Sequence, residues 1–148
     1  MNSFLLHIFI ACIGVVGFSI ATYISLCKKK KKPLVCPLRT SCNFVTTSDY
    51  SKFLGIHVEY LGMAYYAFVT LLHLLLAFSP YYVSDMVFWF GLLVSIGAFL
   101  FSVYLTSVQA FVLKQWCTWC IFSATLCVII VLATYYSWVT IVPLPLTL

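Results

Sequence analysis

Residues 115–148 read QWCTWCIFSATLCVIIVLATYYSWVTIVPLPLTL, a run of 34 residues without a formal charge. A helix needs about 20 apolar residues to cross a bilayer. This run can cross once, and Pro143 and Pro145 stop it. Three more uncharged runs precede it: Ser3 to Leu26, Tyr60 to Ser84 and Met86 to Leu113. The pattern predicts an all-α integral membrane protein, a four-transmembrane-helix bundle with helices near 3–26, 61–79, 86–108 and 118–141. Pro80 and Asp85 bracket the tight connection between the second and third.

Composition agrees. The chain is 64% hydrophobic and 7% charged, against about 25% charged in a soluble domain. There is too little polar surface to wrap a core, so lipid must be the solvent. The length suits one membrane domain over residues 1–148. The N-terminus is uncharged and the lysines follow the first span, the reverse of a signal peptide, so that span is expected to remain. The expected surroundings are a lipid bilayer and no nucleic acid.

Four crossings bring the 27–60 loop and the 109–117 loop to one membrane surface. Every Lys and Arg lies there, with Asp49 and Glu59, while Asp85 is on the other face. Two cysteine pairs meet on the charged side. Cys36 and Cys42 are spaced C-x5-C in the long loop. Cys117 and Cys120 form Cys-Thr-Trp-Cys where the last helix begins. A helix N-terminus offers partial positive charge and free N–H groups that stabilise a thiolate, and Lys114 adds a cation nearby. Such a pair is competent in disulfide exchange. Cys36, next to Pro37 and with Arg39 between it and Cys42, has a polar, exposed setting from which electrons can be received.

Other readings stand beside this one. Four paired cysteines can hold zinc in a structural membrane protein, although C-x5-C is wider than the usual ligand pair. They can also form two structural disulfides. A small transporter would favour broken helices and intramembrane charges, for which His7 and His73 are the candidates. Cys12 and Cys127 read as small apolar side chains. Asp49, Lys52, His57 and Glu59 read as a solvated rim. Ser48 reads as the N-cap of a short surface helix ending at Gly55, lying over the bundle as a lid.

The chain resembles the vitamin K epoxide reductase (VKOR) family in its prokaryotic form. The matching residues are Cys36-Pro37, Ser41-Cys42-Asn43, Val45, Ser48, Phe53-Leu54-Gly55-Ile56, Leu61-Gly62, Tyr65-Tyr66 and Trp116-Cys117-Thr118-Trp119-Cys120. Their order separates the chain from DsbB-type quinone reductases, whose C-x-x-C comes in the first loop. The resemblance implies a quinone-dependent thiol oxidoreductase that supports protein disulfide formation. Cys36 and Cys42 would be the shuttle pair, taking electrons from a thioredoxin-like (DsbA-like) partner. Cys117 would exchange with that pair, Cys120 would lie nearest a quinone of menaquinone or ubiquinone type, and Ser48 would stand at the quinone pocket's edge. No metal is implied. His57 departs from the proline common in prokaryotic relatives. No thioredoxin-like domain follows the last span, so a separate partner protein is expected.

Sidedness draws opposite arguments. Lysine-rich short loops favour the cytosol, whereas disulfide chemistry belongs to oxidising compartments. The reading adopted is a multi-pass cell-membrane protein with its cysteines on the extracytoplasmic face.

Overall fold

The computed structural model describes residues 3–36, 42–78 and 85–141. Pro37, Arg39, Ser41, Pro80, Pro143 and Pro145 lie outside them. Among the described residues four helices are long and apolar enough to cross a membrane, over Phe4–Lys29, Val58–Phe78, Met86–Leu113 and Thr118–Ser137. The first, α1 (Ser3–Lys29), carries Lys28 and Lys29 in its last turn, where cations complement the helix dipole. It closes with Lys31 at φ 51° and a bond from the Lys32 N–H to the Cys27 carbonyl, a Schellman-type end.

The expected lid helix starting at Ser48 is not what forms. The surface helix is α2 (Cys42–Thr47), ahead of Ser48. A 3-10 turn (Asp49–Ser51) follows, then a hairpin in which β1 (Lys52–Phe53) pairs antiparallel with β2 (Ile56–His57). The Ser48 hydroxyl caps nothing; it donates to the Val45 carbonyl at 2.7 Å. Gly55 does not end a helix. Leu54 (φ 53°) and Gly55 (φ 83°) form the two-residue hairpin turn, and positive φ at both positions suits the twist of the paired strands. Phe53 then reaches the third long helix, with ring centroids 5.1 Å from Phe101, so the hairpin roofs one end of the bundle.

Helix α3 (Val58–Phe78) begins three residues before the expected position, directly from the hairpin. It runs beside α1 with backbones close, since a Cβ at Gly17 would overlap the Tyr66 ring. Small residues permit such an approach where lipid gives no hydrophobic drive between helices. Tyr66 reaches across to the last helix, α5 (Thr118–Ile141), where its hydroxyl donates to the Ser123 carbonyl at 2.9 Å.

Helix α4 (Asp85–Ser107) continues as a π-helical turn over Val108–Leu113. The loop expected over 109–117 is therefore four residues long. Lys114, at φ 50°, ends the turn by donating its backbone N–H to the Gln109 carbonyl.

At the opposite end of the bundle, the Nδ1 atoms of His7 and His73 are 3.0 Å apart. Their Nε2 atoms lie 3.4 Å from the hydroxyls of Ser137 and Thr134. All four side chains are buried. One proton shared between the Nδ1 atoms makes this a hydrogen-bonded chain tying α1, α3 and α5. Large apolar side chains such as Leu71, Phe78, Leu93 and Leu132 face outward, as lipid requires.

Candidate functional site

Cys117 is the residue before α5, so its side chain occupies the N-cap position. Its sulfur accepts the Cys120 backbone N–H at 3.3 Å and the Cys120 thiol at 2.7 Å. The hydrogen bond from the Cys120 thiol holds the Cys117 thiol below the ordinary cysteine range. Burial acts the other way, and the backbone N–H groups of Cys120 and Trp119 add to the lowering. Both cysteines are free thiols, and Cys117 is fully buried. The open N–H groups of the helix start and a neighbouring donor favour a thiolate here.

Gln109 is the residue that sequence reasoning missed. It lies in the π-helical turn, almost wholly buried, and its Oε1 accepts the Cys117 backbone N–H at 3.2 Å. Its backbone carbonyl accepts the N–H of Gln115 at 3.2 Å. One glutamine therefore fixes both the entry to α5 and the position of Cys117. π-Helical turns concentrate at functional sites, but a single-residue widening leaves no mark on an apolar run.

Cys36 and Cys42 are joined in a disulfide, Cα to Cα 6.3 Å. Cys42 is fully buried and Cys36 half-buried. Cys42 and Cys117 belong to one apolar cluster, and Cys36 and Cys120 pack against it. The fold brings the two pairs together across 75 or more residues of chain. Trp119, within the C-x-x-C, donates its indole N–H to the Val35 carbonyl at 3.0 Å and meets the Tyr23 ring at a tilt, centroids 5.5 Å apart. The segment leading into Cys36 is thereby held against the start of α5.

Beside Cys120 a cavity of about 520 Å³ opens between the four long helices, under α2 and the hairpin. Cys120 and Ser48 both line it, with Ile24, Phe53, Tyr65 and Phe101. A cavity of this size with mostly apolar walls and few polar groups suits a small flat ligand. Cys127 also lines it and hydrogen-bonds the Tyr66 hydroxyl at 3.5 Å, so it is more than an apolar filler.

The expected solvated rim is in part buried. Glu59 is 8% exposed, and its Oε1 accepts from Lys28 at 2.7 Å. The same ammonium donates to Ser51 Oγ at 3.1 Å and to His57 Nδ1 at 3.2 Å. Hydropathy marks Glu59 and His57 as loop residues, yet the hairpin folds them onto the end of α1. Among the described residues no three His, Cys, Asp or Glu side chains gather as a metal-binding group.

A family model described as the vitamin K epoxide reductase family matches residues 7–140, nearly the whole chain. The curated proteins hold no sequence match to it.

Proposed function

Because the chain belongs to the vitamin K epoxide reductase family and is a multi-pass membrane thiol oxidoreductase, we propose that it carries electrons from a thioredoxin-like protein to a membrane quinone. The partner's dithiol reduces the Cys36–Cys42 disulfide through a mixed disulfide. The resulting dithiol reduces a Cys117–Cys120 disulfide in the same way. The Cys117–Cys120 dithiol then closes to its disulfide again, releasing two electrons. A bound quinone supplies the two-electron acceptor. The net product is a disulfide in the partner, available for substrate proteins on the extracytoplasmic face.

The observation that carries this reading is the unequal state of two adjacent pairs. The outer pair is a disulfide, ready to accept electrons; the inner pair is a dithiol, with Cys120 on the wall of an apolar cavity. Cys117, whose thiol is held below the ordinary range, is the sulfur suited to leave when its mixed disulfide with the loop pair resolves. Ser48 sits at the edge of the cavity, consistent with a role beside the ring.

The test is absorbance-monitored quinone reduction in detergent, with a protein dithiol or dithiothreitol as reductant. Alanine at Cys117 or Cys120 is expected to abolish turnover with both. Alanine at both Cys36 and Cys42 is expected to stop turnover with the protein dithiol and spare it with dithiothreitol, which reaches the inner pair directly. Identical behaviour of the two sets of variants with dithiothreitol rejects the ordered relay. A membrane-impermeant thiol reagent on intact, reduced cells reports the face: labelling of Cys36 or Cys42 only after lysis rejects the outward assignment.

A further inference from the structure

Reducing a quinone consumes two electrons and two protons. Closing the Cys117–Cys120 disulfide releases both electrons, but the Cys117 sulfur accepts both the Cys120 thiol and the Cys120 backbone N–H, the arrangement that suits a thiolate. One proton is missing from the pair. It has to enter an apolar cavity from water, and Glu59 stands between the two.

Glu59 lines the 520 Å³ cavity and also a smaller polar recess of about 150 Å³ on the lysine-rich face. Ser25, Lys28, Lys29, His57 and Tyr60 complete that recess. Among the described residues Glu59 alone lines both. The Glu59 side chain is 92% buried, as its 8% exposure states. Its Oε1 is held by Lys28, while its Oε2 is enclosed with no hydrogen-bond partner among the described residues. A buried carboxylate oxygen without a donor is costly to maintain. A ligand that brings a donor, such as the hydroxyl of a hydroquinone, removes that cost. Of the cavity's other polar groups, Tyr65 presents a buried hydroxyl near Ser95 without a well-formed hydrogen bond, a second point for a ring oxygen.

We propose that Glu59 is the cavity's proton-exchanging group: it meets a ring oxygen of the quinone and passes to it a proton drawn from the Lys28–His57 recess. This rests on the quinone reading above. The step balances: Cys117 thiolate, Cys120 thiol, quinone and one proton give the Cys117–Cys120 disulfide and hydroquinone. The proton comes from water at the recess, where the Lys28 side chain is 19% exposed. The ionisable groups facing this route are Lys28 and Lys29 from α1, Tyr50 from the 3-10 turn, His57 from β2, Tyr60, Tyr65 and Tyr66 from α3, and Cys120 and Cys127 from α5.

Two measurements test it. With dithiothreitol as reductant and a short-chain quinone, Glu59→Gln should lower kcat about tenfold or more, the scale of a lost general acid. Its kcat should fall as pH rises, because the proton then comes from solvent, over a range where the wild type is flat. Glu59→Asp should recover part of both. Independently of turnover, infrared difference spectra of oxidised protein plus short-chain hydroquinone should show a carboxylate band shift that Glu59→Gln abolishes. Wild-type kcat and pH profile in Glu59→Gln overturn the proposal. If that variant does not fold, Glu59→Asp decides, and an unchanged profile there overturns it. A wild-type protein that reduces no quinone but shows the carboxylate response rejects the electron route and leaves the Glu59 contact standing. Active wild type without that response rejects Glu59 alone.

Discussion

The indole N–H of Trp119 donates to the carbonyl of Val35, 3.0 Å away, so a residue inside the C-x-x-C holds the strand of chain that enters Cys36. The bond joins residues 84 apart in sequence. It ties the segment before Cys36 to the start of α5, beside Cys117 and Cys120.

Trp119→Phe keeps the ring and removes the donor. A hydrogen bond of this kind contributes about 0.5–1.5 kcal/mol, so turnover driven by a protein dithiol should fall about two- to tenfold. Turnover driven by dithiothreitol should fall less. Equal losses with both reductants indicate that Trp119 supports the inner pair and not the docking of Cys36.

The depressed Cys117 thiol predicts a pH dependence. Alkylation by iodoacetamide should rise with pH through a midpoint below that of an ordinary thiol. In Cys120→Ala, which removes the thiol hydrogen bond chiefly responsible for the depression, the midpoint should move upward. The same linkage acts on stability: the thiolate's contribution is fully present above the unfolded thiol's pKa. It is lost as pH falls through the lower, folded value. A midpoint unchanged by Cys120→Ala contradicts the assignment of the thiol hydrogen bond.

Ser48→Ala should cost about 0.5–1.5 kcal/mol of local stability, through its lost bond to Val45 and not through a helix cap. The quinone KM should rise while partner KM holds, because Ser48 lines the cavity. Thermal unfolding and paired KM measurements check both. An unchanged quinone KM removes Ser48 from the pocket's working edge.

His7→Leu or His73→Leu should each destabilise the detergent-solubilised protein by about 1–2 kcal/mol, since each leaves the other imidazole buried without its partner. The double variant should cost less than the two single costs added together, because no orphan remains. Additive losses in thermal unfolding indicate that the two rings act independently.

The sequence by itself determined four spans, the meeting of two cysteine pairs on one membrane face, and the placement of Cys117 at a helix start. Hydropathy and charge act residue by residue along the chain, so a bilayer reads them without knowledge of the fold. Capping is equally local: Cys117 directly precedes the first turn of α5. The lid was only half legible. An amphipathic stretch was evident, but Leu54-Gly55 could serve a helix end or a hairpin turn, and contact of Phe53 with Phe101 belongs to the hairpin. Tertiary structure alone decided that Gln109 holds Cys117, that Glu59 leaves the rim to pair with Lys28, and that His7 meets His73. Each is a contact between residues on different elements, and polar side chains buried among helices must find whatever partner the packing brings. No periodicity along a single helix carries that information.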